Sequence, residues 1–377
     1  MARREASVTD AQASSTDFSR PLLAWYDRHH RSLPWRTPPD ETKLGVLPDP
    51  YRIWLSEVML QQTTVGAVKR YFEDFTGAWP TVEALAAAET DDVMKAWAGL
   101  GYYSRARNLK KCAETVASEY GGRFPDTEAG LKALPGIGDY TAAAIAAIAF
   151  NRPAAVVDGN IERVITRFHA IETPLPQAKP EIRALVAQAL PHDRPGDFAQ
   201  AMMDLGATIC SPRRPACVLC PITDGCTARR EGIAERFPVK APKMEKPTRH
   251  GAAFIAVRAD GAVLLRQRPP TGLLGGMTEV PGSHWTARQD GATDISAAPF
   301  PADWRETGSI RHVFTHFALE LSVFRADLHN DQPPGDQPPG DGWWSSPDTL
   351  PGEALPTVMK KAIEAAIPGA TRKRRKG

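Results

Sequence analysis

The sequence predicts two domains in series, an all-α domain over 18–228 and an α+β domain over 251–368. Three observations predict this. Up to Ile209 almost every long segment repeats its apolar residues with a helical period. From 229 to 250 the chain turns charged and proline-punctuated, the composition of a linker. Beyond it, short apolar runs surround Asp260-Gly261, a strong tight-hairpin signal. A chain of 377 residues is long enough for two hydrophobic cores.

The elements follow in order. A first helix starts near Asp17 and carries Leu22, Leu23, Trp25 and Tyr26. Pro38, Pro39, Pro48 and Pro50 then predict a loop, because proline removes a backbone donor and restricts its neighbour. Helical spacing resumes over Tyr51–Phe75, with Glu57 and Gln61 one turn apart on the same face. Thr81–Ala98 predicts another helix. Gly99-Leu100-Gly101-Tyr102-Tyr103 breaks it before a basic helix with Arg105, Arg107, Lys110 and Lys111. Leu134-Pro135-Gly136-Ile137-Gly138 is a turn between two helices, the second so rich in Ala and Ile that it belongs in a core. Helices are also expected over Ile161–Ile171, Pro180–Leu190 and Phe198–Ile209. In the second domain Ala252–Val257 and Ala262–Arg266 read as strands, Val313–Phe324 alternates with period two, and Glu353–Ile367 reads as a helix. Asp331–Gly340 is Asp-Gln-Pro-Pro-Gly twice, a low-complexity loop. Residues 1–17 read as a disordered tail and 369–377 as a basic one, first a solvated end and second a source of salt-dependent attraction to nucleic acid.

Composition excludes some classes. Apolar content of 42% and charge of 24% are those of a soluble globular chain, and no apolar run of about eighteen residues offers a membrane span. The start of the chain has no apolar core and is not a secretory signal. A net charge of +2 neither demands nor excludes nucleic acid.

Four of the five cysteines crowd into one stretch, Cys210, Cys217, Cys220 and Cys226, in a C-x6-C-x2-C-x5-C run. Four sulfurs so close suit either zinc or an iron–sulfur cluster. Zinc sites usually come as two short pairs, whereas here one C-x2-C is flanked by gaps of six and five, which favours a 4Fe–4S cluster. Such cysteine use fits a reducing cytosol. Cys112 stands apart and reads as a buried core thiol.

Three constellations bear chemistry. The Gly136-Ile137-Gly138 turn opens a helix, where converging backbone N–H groups and the positive dipole end favour a DNA phosphate, or where a tight turn merely needs glycine. Glu57 sits on an apolar, aromatic-flanked helix; such surroundings favour the protonated carboxyl that a general acid needs, although a solvated glutamate fits the spacing too. Asp158, between Ala154-Ala155-Val156-Val157 and Gly159-Asn160, reads alone as a helix cap. Paired with Glu57 it reads as the carboxylate facing a developing oxocarbenium ion, the logic of glycosidic-bond cleavage.

These segments, with Ser56-Glu57-Val58-Met59-Leu60-Gln61-Gln62-Thr63, the Gly99–Tyr103 break and Met202-Met203-Asp204-Leu205-Gly206, occur in an order that resembles the MutY adenine DNA glycosylases of the endonuclease III superfamily. The resemblance is close over 18–228 and looser beyond. It implies a helix–hairpin–helix glycosylase domain with an iron–sulfur loop, followed by a Nudix-like domain. It implies a monomeric, bacterial-type cytoplasmic enzyme that flips adenine out of a mispair with 8-oxoguanine or guanine and hydrolyses its glycosidic bond.

Residue by residue, the resemblance makes Glu57 the acid, Asp158 the sugar-facing carboxylate and Asn160 its support. It places Arg31, Leu33, Trp35, Arg36, Leu60 and Gln200 at the adenine pocket. Gln62 and Tyr102, with Thr63 and Leu100, would wedge beside 8-oxoguanine. Tyr140 stands where the lyase-competent relatives carry a lysine. A phenol cannot form a Schiff base, so little strand nicking is expected, and the tyrosine joins Glu57 instead. Phe314-Thr315-His316 stands where the family commonly has Phe-Ser-His, a contact to the damaged base. Pro281-Gly282-Ser283-His284-Trp285 is followed by no glutamate-rich helix, so diphosphate hydrolysis is not expected. Arg213 and Arg214, between the first two cysteines, are placed to meet phosphates. The competing readings are an endonuclease III-like lyase on oxidised pyrimidines and a catalytically inert iron–sulfur DNA-binding protein.

Overall fold

The computed structural model describes residues 18–242, 245–269, 272–328 and 342–372. The expected tails, apart from the first residues of the second one, and the Asp331–Gly340 repeat lie outside the described residues. The chain divides into two compact units: 18–87 with 111–242, and 88–110 with 245–372.

The first unit is helical. α1 (Ser19–His29) buries Leu22, Leu23, Trp25 and Tyr26. The expected proline loop contains a short helix, α2 (Pro39–Lys43), because a proline at the first helical position lacks only an N–H that the helix would leave unpaired. The apolar stretch 51–75 is two helices, α3 (Pro50–Leu60) and α4 (Val65–Ala78). Asp49 caps α3 by accepting from Tyr51 N, and Thr64 caps α4 by accepting from Ala67 N, so the helical period restarts at the second cap. The single helix expected over 81–98 is also two, α5 (Val82–Ala87) and α6 (Thr90–Ala96); α6 falls in the second unit. α7 (Ser104–Glu119) runs through the division point of the chain.

After α8 (Glu128–Lys132) comes α9 (Asp139–Phe150), buried from Thr141 to Ala149 and packed against α3 and against α12 (Pro195–Thr208). Its alanines explain the placement, since methyl side chains let helices pack on several faces at once. α10 (Gly159–His169) and α11 (Lys179–Ala189) precede α12. The linker expected over 229–250 is shorter. α13 (Thr227–Arg230) covers its start, Phe237 is buried, Leu175 N donates to Val239 O at 2.9 Å, and strand β1 already begins at Thr248. The charges and prolines there mask one deeply buried aromatic anchor.

The second unit is a mixed sheet with a helix on it. Its strands are β1 (Thr248–Arg258), β2 (Val263–Gln267), β3 (Thr278–Glu279), β4 (Arg305–Val313), β5 (Ala318–Leu328) and β6 (Trp343–Ser345). They run in the order β3-β2-β1-β5-β4, with β6 also on β2. Asp260-Gly261 turns the chain between β1 and β2, which pair antiparallel through Val257 and Val263. β1 and β5 are parallel, Thr248 opposite Ala318. α14 (Thr357–Ala366) places Val358, Met359, Ala362 and Ile363 in one core with Ile255, Leu265, Leu319 and Val323. The alternating run 313–324 is not one strand. Val313 ends β4, Ala318 starts β5, and Phe314 N donates to Phe317 O at 2.8 Å across the turn between them. β4 gave no sequence signal because nearly all of it is exposed. Residues 280–294 form no helix after Pro281-Gly282.

Candidate active site

Within the first unit, α3, α9, α10 and α12 surround a cleft of about 920 Å³. Of the residues singled out in the sequence, Arg31, Leu33, Trp35, Arg36, Glu57, Leu60, Gln62, Thr63, Tyr140, Asp158, Asn160 and Gln200 all line it, as do Gly136 and Gly138.

Glu57 comes from the buried face of α3 and is 6% exposed. Tyr140, in the first turn of α9, donates its hydroxyl to Glu57 Oε2 at 2.7 Å. Burial pushes the Glu57 carboxyl up from 4.5 to about 7; the Tyr140 bond pulls it down, Asp158 raises it again and Arg36 lowers it. A carboxyl so poised is protonated in a large share of molecules near neutral pH and can give that proton up. Tyr140 is itself pushed well above the ordinary phenol, first by burial and then by the charges of Glu57 and Asp158, so it remains a donor.

Asp158 is both things the sequence offered, a helix cap and a cleft carboxylate. It caps α10, with Oδ1 accepting from Asn160 N at 2.9 Å and Ile161 N at 2.7 Å, while Oδ2 accepts from Asn160 Nδ2 at 2.8 Å. Burial raises its pKa and these N–H donors pull it back. Asn160 is fixed in turn by Arg163, whose Nη2 donates to Asn160 Oδ1 at 2.9 Å and to Gly206 O at 2.6 Å. Gly206 is required here: a Cβ on it would stand 2.5 Å from Asn160 Cβ.

Two features of this site were not foreseen. Arg163 also donates through Nε to the carbonyl of Cys210 at 2.7 Å, so Asp158 is tied to the cysteine loop through Asn160 and one guanidinium. Asp204, fully buried on α12, binds Arg31 and Arg36 together. The signal for Asp204 lay in plain view, a lone carboxylate between Met202-Met203 and Leu205; its partners, some 170 positions away in sequence, did not.

The helix–turn–helix needs only one of its two glycines for conformation. Gly136 has φ +75°, the left-handed region, whereas Gly138 is extended and caps α9 without a side chain. A Cβ on Gly138 would meet nothing within 4 Å, so its face is open. Ile137 is buried and does not line the cleft.

Cys210, Cys217, Cys220 and Cys226 line one small, almost wholly apolar cavity with Phe168, Leu205 and Ile222. Arg167 reaches into it, its Nη1 3.3 Å from Cys210 Sγ. Among the described residues no three His, Cys, Asp or Glu side chains are placed to grip a single metal ion. A lone zinc ion gathers its sulfurs at about 2.3 Å, whereas a cluster takes one sulfur at each of its iron corners. Four cysteine sulfurs lining one almost wholly apolar cavity are a donor set that suits an iron–sulfur cluster.

Leu100, Tyr102, Phe314, Thr315 and His316 belong to the second unit and do not line the cleft. Leu100 is buried, and Phe314 stacks on Phe317 with centroids 4.7 Å apart. That packing leaves Thr315 and His316 exposed on the β4–β5 turn, and the Tyr102 hydroxyl lies 3.2 Å from Thr315 Oγ1. Tyr102 and Gln62 both have positive φ, +47° and +60°, a region that side-chain-bearing residues avoid unless their surroundings hold them there.

Comparison with known proteins bears on both units. Residues 55–191 match the model of the HhH-GPD superfamily of base excision DNA repair proteins, and residues 252–365 match the NUDIX domain. The adenine DNA glycosylase of Homo sapiens is 35% identical, over 93% of this chain and 74% of that one. The adenine DNA glycosylase of Mycobacterium tuberculosis strain H37Rv is 41% identical, over 62% of this chain and 72% of that one. Among solved structures, a thermostable thymine-DNA glycosylase aligns with a TM-score of 0.52 at 31% identity, covering 59% of this chain and all of that one. No helix among the described residues is long and apolar enough to cross a membrane.

Proposed function

This chain belongs to the adenine DNA glycosylases of the HhH-GPD superfamily, and from that membership we propose that its substrate is adenine mispaired with 8-oxoguanine or guanine in duplex DNA. It is an adenine-specific DNA N-glycosylase of base excision repair. The observation that carries the reading of the site is one cleft holding a carboxyl poised near neutrality, Glu57, and a second carboxylate, Asp158, that caps a helix N-terminus.

The reaction follows from these groups. Adenine leaves the stack to enter the cleft. Glu57 delivers its proton to a ring nitrogen of the purine, so the base departs neutral. Tyr140 occupies Oε2, which leaves Oε1 to face the base. As the glycosidic bond lengthens, positive charge grows on the sugar, and Asp158 opposes it from a position already set by three N–H donors. Water completes the hydrolysis. Arg31, Leu33, Trp35, Arg36, Leu60 and Gln200 form the adenine pocket, and the open backbone at Gly138 receives a phosphate. Gln62 and Tyr102, with Thr63 and Leu100 alongside, enter the stack beside 8-oxoguanine; the positive φ at both wedge positions supports this. Thr315 and His316 meet the damaged base, with Phe314 as their anchor.

Cys210, Cys217, Cys220 and Cys226 hold a 4Fe–4S cluster whose role is structural, since no step of glycosidic hydrolysis requires an electron. The lyase alternative is not favoured. Tyr140 offers no amine, and Lys179 at the rim of the cleft has its ammonium paired with Glu162 at 2.9 Å. The two functional regions are assigned as excision over 18–228 and recognition over 251–368. Cleavage of a duplex with one adenine–8-oxoguanine pair tests the proposal. Abasic sites that break only with alkali are expected from the native chain, and at a rate lower by about 10²-fold or more from Glu57→Gln. Strand breaks without alkali at the rate of base release would reverse it.

A further inference from the structure

Asp204 does not line the cleft, yet it is bonded to two residues that do. Its Oδ1 accepts from Arg31 Nε at 2.6 Å, and its Oδ2 accepts from Arg31 backbone N at 2.9 Å and from Arg36 Nη1 at 2.8 Å. The carboxylate side chain is 0% exposed, that of Arg36 7% and that of Arg31 26%. A carboxylate in that position is bound by its partners from both oxygens, and each partner is orphaned without it. We infer that Asp204 is a positioning residue for adenine recognition: one buried carboxylate sets the angle of two guanidinium groups on the pocket wall, and the base meets the donors that remain.

Three further observations support this. Arg31 is held through its backbone as well as its side chain, so Asp204 fixes the start of the 31–36 segment and not only one rotamer. That segment also supplies Leu33 and Trp35 to the cleft, and the Arg36 end is pinned by the same carboxylate. Asp204 follows Gln200 by one turn of α12, so the helix face that presents Gln200 to the cleft is the one that anchors the arginines. The charges are consistent: burial works against both ions, yet Arg36 is held above its ordinary pKa by Asp204, and Asp204 below the ordinary carboxylate range by Arg36 and then Arg31. The same acid therefore fixes where the Arg36 charge sits, and that charge lowers the Glu57 carboxyl slightly.

This inference rests on the reading of the cleft as an adenine pocket, and the test separates the two. Single-turnover excision from an adenine–8-oxoguanine duplex is measured for the native chain, Asp204→Asn and Asp204→Glu. Affinity is measured in parallel for the same duplex with a stable abasic analogue in place of adenine. Failure of the native chain to release adenine overturns the pocket reading itself. With that activity present, Asp204→Asn is expected to lose roughly 10- to 100-fold in excision, the range seen when an outer-shell anchor of an active-site ligand is removed. Affinity for the abasic duplex is expected to stay within about twofold, and Asp204→Glu to recover part of the rate. Equal losses in both measurements would mean a merely structural acid, and an unchanged excision rate would also overturn the inference. Asp204→Glu carries the same test should Asp204→Asn not fold, because it keeps the charge that balances Arg31 and Arg36 while moving the carboxylate that sets their angle. It is expected to show the same separation of excision from abasic-site binding, and a parallel loss of both sinks the idea.

Discussion

Tyr140 and Glu57 share one hydrogen bond of 2.7 Å, and the direction of that bond sets how this site responds to pH. The phenol donates, so it favours the ionised carboxylate, while burial favours the protonated acid more strongly and leaves the group at about 7. A general acid works only while it holds its proton, so excision is expected to fall as pH rises through about 7. In Tyr140→Phe the carboxylate loses a donor, its pKa rises further, and the descending limb moves to higher pH by up to about one unit. A pH profile of single-turnover rates checks this; a limb that moves to lower pH would contradict the assigned direction.

Glu57→Gln keeps the shape of the site and removes the proton. The expected loss in excision is about 10²- to 10⁴-fold, the share usually supplied by a general acid, with DNA binding retained. The same change makes a stability prediction. The folded carboxyl titrates at about 7 against 4.5 for the unsupported group, so the folded state binds more protons between those values. Native stability therefore falls relative to Glu57→Gln as pH rises from 4.5 to about 7, and the difference is constant above that. Melting curves of both proteins at pH 4.5, 6 and 8 report it.

How much of this was legible in the sequence depends on the range over which each signal acts. The helices of the first unit announced themselves by period, and the Asp260-Gly261 hairpin by its turn chemistry, because both are local. The breaks at 61–64 and 88–89 were blurred, since apolar spacing continues across them and only a cap such as Thr64 marks the restart. β4 was invisible because an exposed edge strand has no apolar alternation. In the site, Glu57 and Asp158 stood out as charges in apolar company, whereas Asp204 became meaningful only with its distant arginines in place. The link from Asp158 through Asn160 and Arg163 to Cys210 likewise exists only in three dimensions.

That link yields a prediction for Arg163. Arg163→Leu leaves Asn160 Oδ1 and the Gly206 carbonyl without this donor, and leaves the Cys210 carbonyl only the longer 3.4 Å bond from Arg167 Nη1. Each lost partner costs about 1–3 kcal/mol where the group is buried, and the free Asn160 amide no longer holds one orientation toward Asp158. Excision is expected to drop at least tenfold, with a lower melting temperature. Unchanged rates would show that Asp158 is held well enough by the backbone N–H groups of α10 alone.

The cysteine cavity makes a prediction about composition. About four iron atoms per chain and a broad visible absorbance are expected, and Cys217→Ser is expected to lower both together with DNA affinity. Zinc at one atom per chain, with no iron, would refute the cluster.

The last prediction concerns the base left behind. Thr315 lies on an exposed turn whose shape is fixed by Phe314 stacked on Phe317, and its hydroxyl is 3.2 Å from that of Tyr102. Either hydroxyl can donate, and a hydroxyl oxygen carries two lone pairs, so Thr315 Oγ1 can accept from a further partner. 8-Oxoguanine differs from guanine at the imidazole edge, where an N–H replaces an acceptor nitrogen, and a hydroxyl oxygen can accept from that N–H. Valine in place of Thr315 keeps the volume and removes the oxygen, so Thr315→Val isolates this one contact. Adenine excision opposite 8-oxoguanine is expected to slow by roughly 5- to 10-fold, the value of one net hydrogen bond of about 1 kcal/mol or slightly more. Excision opposite guanine is expected to change little, so the ratio of the two rates narrows. Serine at this position keeps the hydroxyl and is expected to preserve the ratio. If valine slows both substrates alike, Thr315 holds the turn or Tyr102 in place and does not read the damaged base.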